Sequence, residues 1–409
     1  MPLGSDTGGA PLYRCNNCSS APIKLPFSFC FYGKSYDTVY INNKGSLSFI
    51  HPDFTFSSEG LPAGVDTLML AAFWADINDR AAPVSHIYYK ITPTHMIVQW
   101  SNAGYSTFDN DLYDDIQITI TNGSDSILTP GNNVSYCYWL MRWASADSSG
   151  GSGGFGGLPA VVGVNKGDNI HYAQFGTFNL PGYTYYGPFD TTNELYSLNN
   201  NSFIFNTCVT GNNIPPVIEN PDLCDTVTMC AGDTFSFPTK FICPQRGQKA
   251  TLIASSPGLS GLTSDTSSAH STYTISTKLI AVLKDTGTHL INITATDNSS
   301  PPLTNNFPFT VFIKNCNDTT TGIHEISEFN SANIYPNPNT GKFTIQSASV
   351  KGRSIVEINN LLGEKVYSRT IPNGTQFFNI DMSSQVKGIY FIKLYNENTL
   401  IDVKKVVIQ

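Results

Sequence analysis

Three groups of side chains in this sequence have types and spacings that could do chemistry. The first is acidic. Asp76, Asn78 and Asp79 follow the apolar run from Thr67 to Trp74, and Asp109, Asp111, Asp114 and Asp115 crowd one short stretch. Oxygen-rich loops on a β scaffold can supply the roughly six to eight ligands that Ca²⁺ takes. Asp76, Asn78, Asp79, Asp109 and Asp111 are therefore the candidate calcium ligands, and calcium is the one cofactor the residues suggest. The competing reading is a solvated acidic loop, with Asp76 bonding backbone amides at a turn. The second group is aromatic. Residues 181–189 (PGYTYYGPF) hold Tyr183, Tyr185 and Tyr186 in one turn-rich loop, where rings could stack on a sugar or pack on a protein partner.

The third group is the cysteines. The chain has nine, in two clusters: Cys15, Cys18, Cys30, Cys137 and Cys208, then Cys224, Cys230, Cys243 and Cys316. Clustering by segment suits disulfides inside oxidised domains, and the odd count leaves at least one thiol free or paired outside the chain. Cys15 and Cys18 form a lone C-x-x-C with no second pair and no histidine at ligand spacing, so a disulfide is favoured over zinc. In the second cluster Cys224 and Cys316 bracket a block while Cys230 and Cys243 lie close in sequence. The expected pairs are Cys224–Cys316 and Cys230–Cys243, the first closing a loop of ~90 residues worth about 4–5 kcal/mol in the chain-entropy model.

Enzyme signatures match by letter only. Residues 149–157 (SGGSGGFGG) contain G-x-S-x-G around Ser152 and G-x-G-x-x-G from Gly151 to Gly156. A nucleophile elbow needs a strand-to-helix turn and a dinucleotide loop needs a βαβ unit; neither architecture is present, and glycine at this density reads as a flexible hairpin loop. His324-Glu325 lacks the second histidine of a zincin. No catalytic residue is assigned, and the chain reads as no enzyme.

The elements that would carry these groups are strands. Charged residues are only 13% and aromatics 12%, a composition that suits strands and turns. A net charge of −8 and a pI near 5.3 argue against nucleic acid, which needs a basic stripe. No stretch approaches the ~20 apolar residues of a membrane-spanning helix. The dominant period is two: residues 38–49 read as two strands around an Asn-Asn-Lys-Gly turn, followed by residues 86–91, 96–100, 116–120, 135–143 and 160–164. Residues 289–295 and 307–313 alternate likewise, as do 342–346, 354–358, 365–367 and 388–394. Polar, Pro- and Asn-rich breaks at residues 210–216 and from 315 to about 331 read as linkers. The fold class is all-β, three tandem β-sandwich-type domains: residues 1–14 as a disordered or vector-derived N-terminus, 15–210, 217–316, a linker over 317–331, and 332–409.

Residues of the last block carry the most specific resemblance. Ile334-Tyr335-Pro336-Asn337-Pro338, then Gly341-Lys342-Phe343, the Asn359-Asn360-Leu361-Leu362-Gly363 turn, the strand from Gly388, and the ending Lys404-Lys405-Val406-Val407-Ile408-Gln409 together resemble the type A C-terminal sorting domain of the Bacteroidota type IX secretion system. The resemblance implies a small seven-stranded sandwich recognised by outer-membrane secretion machinery, with Tyr335, Pro336, Asn337, Pro338, Gly363, Gly388, Lys404 and Lys405 in the sorting signal. The first block, with Ala72-Phe73-Trp74-Ala75-Asp76-Ile77, Tyr88-Tyr89, Ile97-Val98-Gln99-Trp100 and the strand holding Gln117, resembles a nidogen-type (NIDO) domain, which implies an extracellular, non-catalytic role. Trp74 and Trp100 read as core. The middle block, with Asp285-Thr286-Gly287-Thr288 and Ile291 to Asp297, resembles an Ig- or cadherin-like module; Asp297 matches a calcium-contacting position, but the cadherin Asp-x-Asn-Asp linker is missing. Six Asp-Ser/Thr triplets, such as Asp37-Thr38-Val39, are similar to the O-glycosylation motif of exported Bacteroidota proteins. The expected function is a secreted surface protein for adhesion or extracellular structure, with an unknown surface protein or glycan as partner. A carbohydrate-binding module or a glycan-processing surface enzyme is the alternative.

Overall fold

The computed structural model describes residues 16–55, 60–64, 66–79, 85–105, 112–219, 226–316, 332–346, 354–361, 363–372, 377–396 and 399–409. Alternation becomes strand at the positions where it was read, except that the run at 135–143 is strand only over Val134–Tyr138. In Ile23–Phe31 the residues Leu25, Phe27, Phe29 and Phe31 turn inward, and in His95–Ala103 so do Met96, Val98 and Trp100. The Asn-Asn-Lys-Gly turn joins Lys34–Asn42 to Ser46–Ser48. Gly45 has φ +77° there, and a Cβ on it would stand 2.1 Å from the Phe73 carbonyl oxygen, so only glycine fits.

The first block is a sandwich. One sheet runs Ile23–Phe31, Lys34–Asn42, Ser46–Ser48, Met69–Trp74, Ala160–Asn165, Tyr172–Leu180 and Asn193–Glu194. The facing sheet contributes His86–Ile91, His95–Ala103, Asp114–Thr121, Val134–Tyr138 and Asn201–Phe205. Between them lies one aromatic-rich core, in which the Trp100 indole N–H donates to Asn42 O at 3.2 Å and that of Trp143 to Ala103 O at 2.8 Å. Trp74 and Trp100 are both buried. A disulfide, Cys30–Cys208, ties the first strand to the far end of the block across 178 residues. Cys18 is also disulfide-bonded.

The expected linker at residues 210–216 is a packed junction. Ile214 is buried, and the next strand, Val217–Glu219, pairs with Asn201–Phe205 on one side and Thr234–Ile242 on the other. The facing sheet therefore continues into the middle block as one nine-stranded sheet ending in Thr272–Ile280 and Leu262–Ala269. Side-chain amides close the seam: Asn213 Nδ2 donates to Asp297 at 2.6 Å, and Asn305 Nδ2 to Pro216 O at 2.9 Å. Asp297, at the cadherin-like calcium position, is thus a junction acceptor. Residues 1–317 form one compact unit and 318–409 a second. Proline and asparagine suggested a flexible break; here they occupy bonded positions where strands change partner.

The disulfide of the middle block corrects the expected pairing. Cys230 bonds Cys316, with Cα atoms 5.5 Å apart, rather than Cys243, and Cys316 is therefore not bonded to Cys224. The reason is a parallel pairing that sequence proximity does not reveal: Thr226–Cys230 lies beside Thr304–Lys314, with Cys230 opposite Lys314. Cys243 is a buried free thiol, and burial pushes its pKa up to about 12. Cys224 lies outside the described residues.

The second unit is a seven-stranded sandwich, with a three-stranded sheet (Asn333–Tyr335, Lys342–Gln346, Phe377–Asp381) and a four-stranded one (Lys365–Ile371, Ser354–Asn359, Gly388–Asn396, Thr399–Ile408). Its core is mainly aliphatic, with the rings of Phe343, Phe378 and Tyr390 packed among residues such as Ile358 and Ile392.

Candidate functional site

The outer face of the nine-stranded sheet carries a groove that strict alternation creates. Because Val98, Trp100, Ile116, Ile118, Tyr136 and Tyr138 point inward, Gln99, Gln117 and Cys137 between them point outward. Register aligns these outward residues in a row across four strands: Tyr88 opposite Gln99, Gln99 opposite Gln117, Gln117 opposite Cys137. A second row lies one step along. His86 is opposite Ser101, and Asp115 meets Trp139, whose N–H donates to the Asp115 carbonyl at 3.1 Å. Asn102, with φ +51°, marks a register shift and donates its N–H to Asp115 Oδ1 at 3.0 Å.

The result is an open groove of about 470 Å³. Trp139 forms one wall and is 74% exposed, yet its backbone is fixed on both sides, since Asn200 N–H also donates to its carbonyl at 3.3 Å. On the adjacent strand, outside the groove's lining, His86 and Tyr88 stack with ring centroids 5.7 Å apart. The side chains of Gln99 and Gln117 make no hydrogen bond among the described residues, so their amides face the groove with donors and acceptors available. Burial raises the Cys137 thiol above its ordinary pKa, which keeps it neutral. None of these residues was singled out for binding from sequence. The period-two pattern marks Gln99 and Gln117 as outward, but which outward residues stand side by side depends on strand register.

The residues singled out from sequence are distributed differently. Asp76 is consumed inside the head: it pairs with Lys44, the two side chains 1% and 0% exposed, and accepts from the hydroxyls of Ser148 and Ser149. Lys44 Nζ donates further to Asn16 Oδ1 at 2.8 Å and Ile77 O at 2.9 Å. Asn78 and Asp79 are buried nearby, with Ser85 Oγ 3.4 Å from Asp79 Oδ1. Asp109 and Asp111 lie outside the described residues. Asp114 is buried and accepts from the N–H groups of Arg142 and Trp143 at 2.6 and 3.3 Å, and burial holds its carboxyl well above the usual range. Among the described residues no group of three or more His, Cys, Asp or Glu is placed to hold a metal.

The aromatic loop divides. Tyr183 is 74% and Tyr186 37% exposed, whereas Tyr185 packs against the core, lies along the Phe178 ring and donates its hydroxyl to Phe175 O at 2.5 Å. The glycine-rich stretch is packed, not flexible. Ala144 and Ser145 donate to Gly154 O at 2.8 and 2.9 Å, and a Cβ on Gly151 would stand 2.7 Å from the Ser145 carbonyl oxygen.

In the second unit the two ends of the expected sorting signal meet. Asn337 Nδ2 donates to Lys405 O at 2.9 Å, and Val407 N–H donates to Asn337 Oδ1 at 2.9 Å. Asn339 N–H donates to Val407 O, and Gln409 N–H to Asn339 O. The Tyr335–Pro338 segment is thereby stitched to the strand carrying Lys404 and Lys405. Gly363, at φ +85°, closes the turn on Asn360, while Gly388 opens the strand paired with the chain end.

The described residues thus form an all-β sandwich with disulfides and a small second sandwich whose ends are clasped together. The family comparisons give the two parts their names: residues 4–205 match the family described as NIDO related, and residues 333–409 match the secretion system C-terminal sorting domain. The chain thus combines a NIDO-related domain with a type IX sorting domain, and it is secreted to the cell surface. Both are structural or sorting domains. Alpha-tectorin of Mus musculus is 27% identical over 192 residues, covering 41% of this chain and 9% of that protein; the Gallus gallus protein is 25% identical over the same span. The chain therefore spans less than a tenth of these relatives' length. Among solved structures, the dimeric latent PorU of Porphyromonas gingivalis aligns with 77% of this chain and 32% of its own, at 16% identity and a TM-score of 0.20; a score this low carries no argument.

Proposed function

We propose that the protein is a surface-displayed adhesion component whose NIDO-related head makes the contact. The middle block is a stiff extension of the head, and the C-terminal unit is the part read by the type IX machinery at the outer membrane. The observation that carries the reading is the nine-stranded sheet: it runs unbroken from the head into the middle block, so a force on the head passes into covalent and hydrogen-bonded structure with no hinge. The joined segments Tyr335–Pro338 and Lys404–Lys405 would form the sorting surface. Cells displaying the full chain should attach to their substratum better than cells displaying only residues 318–409, the second compact unit, at equal surface levels measured by external proteolysis. Equal attachment by both would overturn the reading.

A further inference from the structure

Resting on the adhesion reading, we propose that the groove on the outer face of the head sheet binds a neutral oligosaccharide laid across the strands. Trp139 is its principal stacking platform, and Gln99 and Gln117 are its hydrogen-bonding floor. The argument begins with what a sugar offers. A pyranose ring has an apolar face of C–H groups, which stack on flat aromatic rings, and an equator of hydroxyls, each both donor and acceptor. A site for it needs an exposed, immobile ring next to planar groups that can donate and accept at once. Trp139 is exposed and its backbone is held by hydrogen bonds on both sides, so the ring projects from a fixed point of the main chain and only its side-chain torsions need ordering on binding. Glutamine amides carry donor and acceptor in one plane, and the two stand directly opposite one another on adjacent strands with their bonding capacity open.

Length and charge narrow the ligand. The groove's floor crosses the strands of Gln99, Gln117 and Cys137, two inter-strand spacings or about 10 Å at ~4.8 Å each, with Trp139 just past the end of the last strand, so it accommodates a short run of sugar rings in line. The groove contains one carboxylate, Asp115, whose Oδ1 already accepts from Asn102 N–H. The chain carries a net charge of −8. Nothing in the groove compensates an anionic sugar, and the fields disfavour one. An uncharged glycan is what this chemistry recognises.

The test uses the full chain on a printed array of neutral and acidic oligosaccharides, from single sugars to long oligomers, with affinities then measured by calorimetry on the strongest neutral hit. Binding should be confined to neutral glycans and should tighten with length until the groove is filled. Trp139→Ala should weaken it at least tenfold and Gln117→Ala several-fold, while Trp139→Phe retains most of it. Phe54→Ala, an exposed ring outside the groove, should leave it unchanged. Absence of binding to any neutral glycan, equal binding to acidic ones, or full binding by Trp139→Ala with a wild-type melting curve would overturn the proposal. The attachment assay separates this from the adhesion reading. If Trp139→Ala cells attach as the wild type does while cells displaying only residues 318–409 do not attach, the first unit is adhesive through a surface other than this groove.

Discussion

Lys44→Met tests the account of the acidic cluster most directly. Lys44 and Asp76 are a buried ion pair, essentially without solvent contact. The lysine also donates to Asn16 and Ile77, and the carboxylate accepts from Ser148 and Ser149. Methionine keeps the stem's length and apolar packing while removing the ammonium. It leaves Asp76 as a buried charge satisfied only by two hydroxyls. Removing one partner of a buried pair costs about 3–5 kcal/mol, because the other charge is left uncompensated. For a block of this size each kcal/mol lowers Tm by about 2–4 °C, so the shift should be roughly 10 °C. All four tryptophans, Trp74, Trp100, Trp139 and Trp143, lie in the head, so a melt followed by tryptophan fluorescence reports on the unit that holds Lys44 and not on residues 318–409. The double variant Lys44→Met with Asp76→Asn should recover much of the loss, since no charge is then stranded. A single-variant shift within about 0.5 kcal/mol of wild type, the range of ordinary surface changes, would refute the reasoning and return Asp76 to the list of candidate cation ligands.

Two further outcomes follow from the structure. Peptide mapping without reduction should find Cys230 joined to Cys316 and Cys243 alkylated only after unfolding. Replacing Cys230 and Cys316 by Ala should cost the middle block about 4–5 kcal/mol in denaturant melts, from closure of a loop with a sequence separation of 86; a Cys230–Cys243 peptide would contradict the parallel pairing. In the second unit, Asn337→Ala removes both side-chain bonds to the final strand and should destabilise that unit by about 1–2 kcal/mol. Hydrogen exchange at the Val407 amide should quicken and the surface-exposed fraction of the protein fall; unchanged exchange there would show that the clasp is not formed in solution.

Much of this molecule was legible in the residue order, and the reason is that alternation is a local property. A strand with one buried face must repeat every two residues, so Met96-Ile97-Val98-Gln99-Trp100 announces both its conformation and its inward side without reference to any neighbour. The Asn-Asn-Lys-Gly turn and the Asn360–Gly363 turn are equally local, since a positive φ demands glycine whatever packs around it. The residues of the two terminal blocks that resemble known families likewise lie in short runs that can be read as text. What the sequence withheld is everything that depends on pairing between distant segments. Cys230 finds Cys316 because two strands 78 residues apart at their first residues, Thr226 and Thr304, lie parallel. Residues 210–216 look like a linker by composition, yet Val217–Glu219 completes a sheet there. Asp76 looks like a cation ligand until the turn before Gly45 places an ammonium against it, and Tyr185 is drawn out of its exposed loop by a carbonyl on Phe175. The groove belongs to the same class: Gln99, Gln117 and Trp139 are unremarkable apart, and register alone sets them side by side. Local sterics and periodicity fix the elements, whereas register and partner choice are global free-energy minima over the whole chain, which only the folded structure decides.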